Sequence, residues 1–241
     1  MRKTRIYQAG HYSPGQILEL APGASQHVGT VLRMHPGEKL ILFSGNNCEY
    51  SATISAIHKK KVTVIIDAVE EINRESPRLI HLAQAVSKGE RMELVIQKAV
   101  ELGVTSITPL FTERSIVRLD ADRLAKKHAQ WQAIAIAACE QSGRNIIPSI
   151  GQACFLNDYL QQSQATLKLV LYPHANITWR DYTFAGDIAL LIGPEGGLTK
   201  EEIFKAQTMQ FKPLSLGPRI LRTETAAITA LSVLQAVSGD L

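Results

Sequence analysis

Residues 191–203 read LIGPEGGLTKEEI, and this stretch decides the fold. An apolar run ends in three glycines, Gly193, Gly196 and Gly197, interrupted by Pro194 and Glu195, and a helix start follows directly. Thr199 with Glu202 has the spacing of a capping box, and Leu198 with Ile203 has that of a hydrophobic staple. The stretch therefore predicts a buried strand, a tight turn and a well-specified helix. Glycines at the end of a strand serve either the turn itself or the close approach of backbone to a ligand. On the residues alone both readings stand.

A second stretch, residues 214–227, repeats the plan as LSLGPRILRTETAA: a short strand, a glycine turn and a helix start. Gly217 and Pro218 forbid regular structure, and Glu224 falls in the first helical turn, where a carboxylate suits the helix dipole. Arg219 and Arg222 either meet a substrate or partner subunit, or are exposed or paired with Glu224.

Working outward, the region from residue 79 alternates strands and helices. LIHLAQAV, SITPLF, KLVLY, DIALLIG and KPLSLG are short apolar strands. GERMELVIQKAVELG is a helix with Met92, Val95, Ile96, Ala99 and Val100 on one face and Gly103 as its stop, and DRLAKKHAQWQAIAIAACEQ is another helical segment. This alternation predicts an α/β fold with a parallel sheet covered by helices on both faces. Ligands of such sheets bind outside the carboxyl ends of the strands, where both glycine turns fall.

The first 71 residues read differently. KLILFSG, a GNN turn, YSATISAI and KVTVIIDAV predict antiparallel strands rich in β-branched residues. Before them PGASQHVGTVLRM places Val28, Val31 and Leu32 at helical spacing. The expectation is a small β-barrel with one helix over residues 1–71, a polar linker EINRESPR, and an α/β domain over 72–241. Residues 1–66 carry Arg2, Lys3, Arg5, Arg33, Lys39, Lys59, Lys60 and Lys61 against Glu19, Glu38 and Glu49, an excess of +5 in a chain whose net charge is +4. Charge concentrated in one small domain is the footprint of a polyanion-binding module. For Lys59 to Lys61 taken alone, a solvated face is the preferred reading.

Hydrophobic residues at 45% and charged residues at 20% exclude wholesale disorder. Cys48, Cys139 and Cys154 are too few and too scattered for a disulfide framework or a zinc site, so no metal is expected and a reducing cytoplasm is the natural setting. The basic start MRKTRIYQAGHY is followed by no apolar stretch of signal-peptide length, and no segment reaches the roughly 18 apolar residues of a membrane span.

The two glycine-turn stretches, some twenty residues apart, resemble the paired cofactor loops of knotted SPOUT-superfamily methyltransferases. In particular they resemble those of the 16S ribosomal RNA uracil N3-methyltransferases of the RsmE type. HVGTVLRMHPGEKLILFSG, SKGERMELVIQKAVELGV and ACEQSGRNIIP extend the likeness over nearly the whole chain. The resemblance implies a trefoil knot at the C-terminal end and a PUA-like RNA-binding N-terminal domain. It also implies a homodimer packed through the knot and the last helix, where Ala227, Leu231 and Leu234 form an apolar stripe that an ordinary core face would equally show. It implies S-adenosylmethionine held by three loops that fall here on Leu171, Tyr172 and Pro173, on Ile192, Gly193, Glu195, Gly196 and Gly197, and on Leu216, Gly217, Ile220, Leu221 and Thr225.

Methylating uracil N3 requires that its proton be removed and the resulting anion stabilised. Arg222 is the candidate for the anion; Glu195 and Glu224 are the nearby carboxylates, either catalytic or structural. Arg2, Arg5, Arg33, Lys88, Arg91, Arg114, Arg144 and Arg219 are candidate RNA contacts, the partner being 16S rRNA in the assembled 30S subunit. Two alternatives remain. A ribose 2′-O-methyltransferase of the same superfamily usually carries an early Asn-Pro-x-Asn-x-Gly motif, which this sequence lacks. A non-catalytic assembly factor that binds RNA through the basic domain would have no reason to keep a cofactor pocket.

Overall fold

The computed structural model describes residues 4–115 and 120–241, which form two compact units. The first unit is Met1–Glu75 together with Cys139–Ile147. Its strands are β1 (Thr4–Tyr7), β2 (Ile17–Glu19), β3 (Lys39–Phe43), β4 (Cys48–His58) and β5 (Lys61–Glu71), in the order β1-β3-β4-β5-β2. Alternation turns Leu40, Leu42, Ile54, Val62, Val64 and Ile66 into a core completed by Ile6 and Tyr50. The GNN turn between β3 and β4 has left-handed backbone at Gly45 and Asn47.

The five strands follow one path with β1 and β2 at its ends. One expectation changes here. The predicted helix is only α1 (Pro22–Gln26), followed by a π-helical turn, His27–Val31. Wider turns break the i, i+3, i+4 register, so Val28 is buried while Val31 and Leu32 face solvent.

The second unit, Ser76–Ala138 with Pro148–Leu241, carries the parallel sheet. Its strands are β6 (Ile80–Ala85), β7 (Ser106–Phe111), β8 (Ser149–Ile150), β9 (Cys154–Phe155), β10 (Leu167–Leu171), β11 (Ile188–Ile192) and β12 (Lys212–Leu214). They run in the order β12-β10-β11-β6-β7-β8, with β9 also on β7, and every pairing is parallel. All five residues of β11 are buried, so both faces of the sheet are covered. Pro213 is accommodated because β12 is an edge strand.

The helices are α2 (Arg91–Glu101), α3 (Ala121–Ser142), α4 (Leu156–Gln162), α5 (Lys200–Thr208) and α6 (Thr223–Ser238). The five residues expected on the inner face of α2 are all buried, and Gly103 ends that segment at φ +78. The capping box on α5 forms as expected: Thr199 Oγ1 accepts from Glu202 N, and the Glu202 side chain accepts from Thr199 N. Leu198 and Ile203 both join the core under α5. Among the described residues no helix is long and apolar enough to cross a membrane, and no cluster could hold a metal.

Candidate functional site

At the carboxyl ends of β10 and β11 lies a cavity of about 560 Å3. Three chain segments converge on it, because adjacent parallel strands deliver their following loops to the same end of the sheet. From β10 come Leu171, Tyr172, Pro173 and His174; from β11, Ile192 and the whole turn Gly193–Gly197; from the start of α6, Ile220, Leu221, Arg222, Thr223 and Glu224. Leu216, Gly217 and Thr225 were expected beside them but lie outside the lining. The segment after β12 is drawn to the β10–β11 loop, with Ser215 N donating to Ile177 O and Gly217 N to Ser215 Oγ. Thr225 is exposed, on a different side of the first helical turn from Thr223 and Ala226.

The glycines divide between the two readings. A Cβ on Gly193 would lie 3.0 Å from both Leu198 Cγ and Leu198 N, and Gly197 at φ +70 closes the turn by donating to Pro194 O. The turn alone therefore explains those two. Gly196 is different: its backbone is ordinary, and an added Cβ would meet only the Arg114 side chain, at 3.4 Å. The turn alone therefore does not explain this glycine, whose Cα faces the Arg114 stem.

The cavity is tied to the sheet by a buried relay that sequence reasoning missed. Gln84 on β6 donates from Nε2 to Thr223 Oγ1 at 3.0 Å, and Thr223 donates to Gly193 O at 2.8 Å. A signal existed: an amide inside the apolar strand LIHLAQAV must find partners when buried. The relay fixes the start of α6 against the glycine turn.

The carboxylates differ in their surroundings. Glu195 Oε1 accepts from Lys88 N at 3.0 Å and from Arg91 Nη1 at 2.8 Å. Burial pushes the Glu195 carboxyl up, but its own backbone N–H, that of Lys88 and the Arg91 guanidinium together outweigh this and hold it below the usual value. Glu224 Oε2 is buried and has no hydrogen-bond partner among the described residues. Arg222 is exposed and pairs with no carboxylate there, so the sequence alternative of an Arg222–Glu224 ion pair is not formed.

Several candidate RNA contacts have other partners. In the first unit Arg5 is buried against Glu49, with its Nη2 2.7 Å from Asn145 Oδ1, and Arg144 is buried against Glu75, with Nε–Oε2 3.0 Å. Arg74 also reaches Glu49. Arg5 and Arg144, both candidate RNA contacts, thus stand in ion pairs within the first unit, and partners 44 and 69 residues away leave no local trace in the sequence. Arg114 donates to Gly196 O at 2.8 Å. Arg33, Lys88 and Arg219 are exposed, and Arg2 lies outside the described residues. The stripe of Ala227, Leu231 and Leu234 is fully buried core of the second unit.

Comparison with known proteins gives this cavity a family. The RNA methyltransferase domain profile matches residues 74–235, and the RNA methyltransferase PUA domain profile matches residues 22–67. Ribosomal RNA small subunit methyltransferase E of Buchnera aphidicola subsp. Schizaphis graminum is 38% identical over 242 residues, spanning 100% of this chain and 98% of its own. The chain belongs to the ribosomal RNA small subunit methyltransferase E family. Solved relatives include a Legionella pneumophila methyltransferase with S-adenosylmethionine bound, at 58% identity and TM-score 0.99, covering 100% of both chains. Another is the Neisseria gonorrhoeae member of the family bound to S-adenosylmethionine, at 36% identity and TM-score 0.93, again covering 100% of both. The PUA match lies wholly in the first unit, and the cavity wholly within the methyltransferase match.

Proposed function

We propose that this protein transfers a methyl group from S-adenosylmethionine to N3 of a uracil in small-subunit ribosomal RNA, acting in the cytoplasm as a homodimer on the assembled 30S subunit. The observation that carries the reading is the cavity formed by two loops and a helix start at the strand ends, in a chain of this family. Its volume is in the range of small-ligand sites, roughly 300–1,000 Å3. Its walls combine bare main chain at Gly193–Gly197 with apolar Leu171, Ile192 and Leu221, which suits an adenosyl group better than a phosphate-rich cofactor. Those residues, with Tyr172, Pro173 and Ile220, would hold it; when bound it supplies an electrophilic methyl on a sulfonium centre.

The remaining chemistry belongs to the protein. Arg222, at the cavity and in no ion pair among the described residues, would stabilise negative charge on the uracil ring as the N3 proton leaves. Of the two carboxylates, Glu224 suits proton acceptance better, because Glu195 is already committed to Arg91 and Lys88. A trefoil knot is supported by the path of the chain: from the edge strand β12 it pairs with the β10–β11 loop at Thr178–Ser215 and returns to the middle of the sheet at Thr223, beside β6 and β11. Residues 1–71 would anchor the RNA through Arg33 and the lysines of the β4–β5 hairpin, and Lys88 and Arg219 would meet it nearer the cavity.

Mass analysis of nucleosides from 30S subunits treated with protein and S-adenosylmethionine tests this directly. The expected product is 3-methyluridine. Methyl on ribose would replace the reading by the 2′-O alternative, and no methyl by a binding role.

A further inference from the structure

The turn Pro194–Gly197 poses a mechanical difficulty. It contains two glycines and is preceded by a third, it closes on one internal hydrogen bond, and glycine backbone is the most costly to order. A loop that binds through its main chain must nevertheless be held before the ligand arrives.

The holding groups are two arginines from different elements. Arg91 opens α2 and donates from Nη1 to Glu195 Oε1 at 2.8 Å, the same oxygen that accepts from Lys88 N. Arg114 follows β7 and donates from Nη1 to Gly196 O at 2.8 Å, while its aliphatic stem lies against the bare Cα of Gly196. Consecutive residues of the turn are thus gripped from two sides, one by its side chain and one by its carbonyl. Both arginines also line the cavity.

We infer that Arg91 and Arg114 are positioning residues for the cofactor turn, bracing it through the Glu195 carboxylate and the Gly196 carbonyl, and are not ligands of RNA phosphate. The inference rests on reading the cavity as the S-adenosylmethionine site. It also explains the placement of Glu195. A carboxylate at the centre of the turn offers an arginine a charged partner, and charge-assisted bonds are the strong ones. Exposed ion pairs contribute little to global stability, so losing the brace should leave the fold intact and act on the order of the turn.

Calorimetric titration with S-adenosylmethionine, alongside RNA binding measured without it, tests the inference. Arg91→Ala and Arg114→Ala should each weaken cofactor binding about tenfold, the scale of one hydrogen bond to a charged group. Their melting temperatures and RNA affinity should stay at wild-type values. Arg114→Lys, which keeps one donor for the Gly196 carbonyl, should recover part of the loss. In steady state KM for S-adenosylmethionine should rise while kcat is preserved, because the brace serves ground state and transition state alike. Arg91→Ala combined with Glu195→Gln should be no worse than the weaker-binding single variant, since both act on the same charge-assisted bond. Unchanged cofactor affinity with reduced RNA affinity would overturn the inference and make the arginines phosphate ligands. An additive double variant would overturn the Arg91–Glu195 half. Failure of the wild-type protein to bind S-adenosylmethionine would instead refute the reading of the cavity.

Discussion

Replacing Thr223 by valine tests the relay between β6, the start of α6 and the glycine turn with almost no change in shape. Thr223 is buried, and its hydroxyl both receives Gln84 Nε2 and donates to Gly193 O. Valine removes both bonds. Gln84 keeps its weaker contact to Ala85 O at 3.2 Å, and Gly193, half-buried at the cavity, can recover water. A buried donor left without its partner costs about 1–3 kcal/mol, so one full and one discounted loss come to about 2–3 kcal/mol. For a unit of this size that lowers the melting temperature by roughly 4–12 °C. The chain has two tryptophans, Trp131 and Trp179, and both lie in the second unit, so tryptophan fluorescence during urea unfolding reads that unit selectively. Cofactor affinity should fall together with stability, because the Gly193 carbonyl loses its tether. Thr223→Ser, which keeps the hydroxyl, should stay close to wild type on both measures. A Thr223→Val protein within about 0.5 kcal/mol of wild type, the usual effect of an inconsequential substitution, with unchanged cofactor affinity would refute the relay.

Arg222→Ala should slow single-turnover methylation by on the order of a hundredfold while leaving S-adenosylmethionine affinity near wild type; a near wild-type rate in folded protein would remove Arg222 from the mechanism. Gly196→Val should abolish cofactor binding with circular dichroism unchanged, since backbone there is ordinary and only the Arg114 side chain must yield; retained affinity would show that the turn is not approached on that side. Burial pushes the Glu49 carboxyl up, but Arg74 and Arg5 outweigh it and hold its pKa below 4.5. Its contribution to the first unit is therefore fully present above the unfolded value near 4.5 and lost as pH falls through the folded value, so acid titration of wild type against Glu49→Gln should show the variant's stability less dependent on pH below 4.5. Replacing Lys59 and Lys60 together by glutamine should reduce the slope of log affinity for single-stranded RNA against log salt by roughly 1.4, two phosphate contacts at about 0.7 each; an unchanged slope would return the hairpin to a solvated face.

What could be read from the sequence was what is encoded locally. The capping box at Thr199 and Glu202, the stop at Gly103 and the inner face of α2 each occupy a few consecutive residues, and each formed where expected. Both glycine turns were legible because a strand end, a Gly-Pro step and a helix start follow one another within a few residues. The short strands β8 and β9 carry two residues each, too few for any periodicity. The π-helical turn escaped because the spacing of Val28, Val31 and Leu32 fits an α-helix equally well.

Charged residues were the least legible, because a cation's role is set by what folding places against it. Arg5, Arg91, Arg114 and Arg144 have the same composition-level signature as Arg33 or Arg219. Arg5 and Arg144 meet carboxylates inside the first unit, Arg91 and Arg114 meet the glycine turn, and Arg33 and Arg219 stay exposed. The same sorting applies to the +5 excess of the first quarter. Arg5 is neutralised by Glu49, and Lys61 reaches Glu19, so Arg33, Lys39, Lys59 and Lys60 are the described cations that remain for a polyanion. Two of those four sit at the tip of the β4–β5 hairpin, where Lys59 adopts φ 54, and a hairpin tip exposes cations with the least desolvation. Net charge points to a unit, and only pairing separates the cations within it that are open to a polyanion from those that are not.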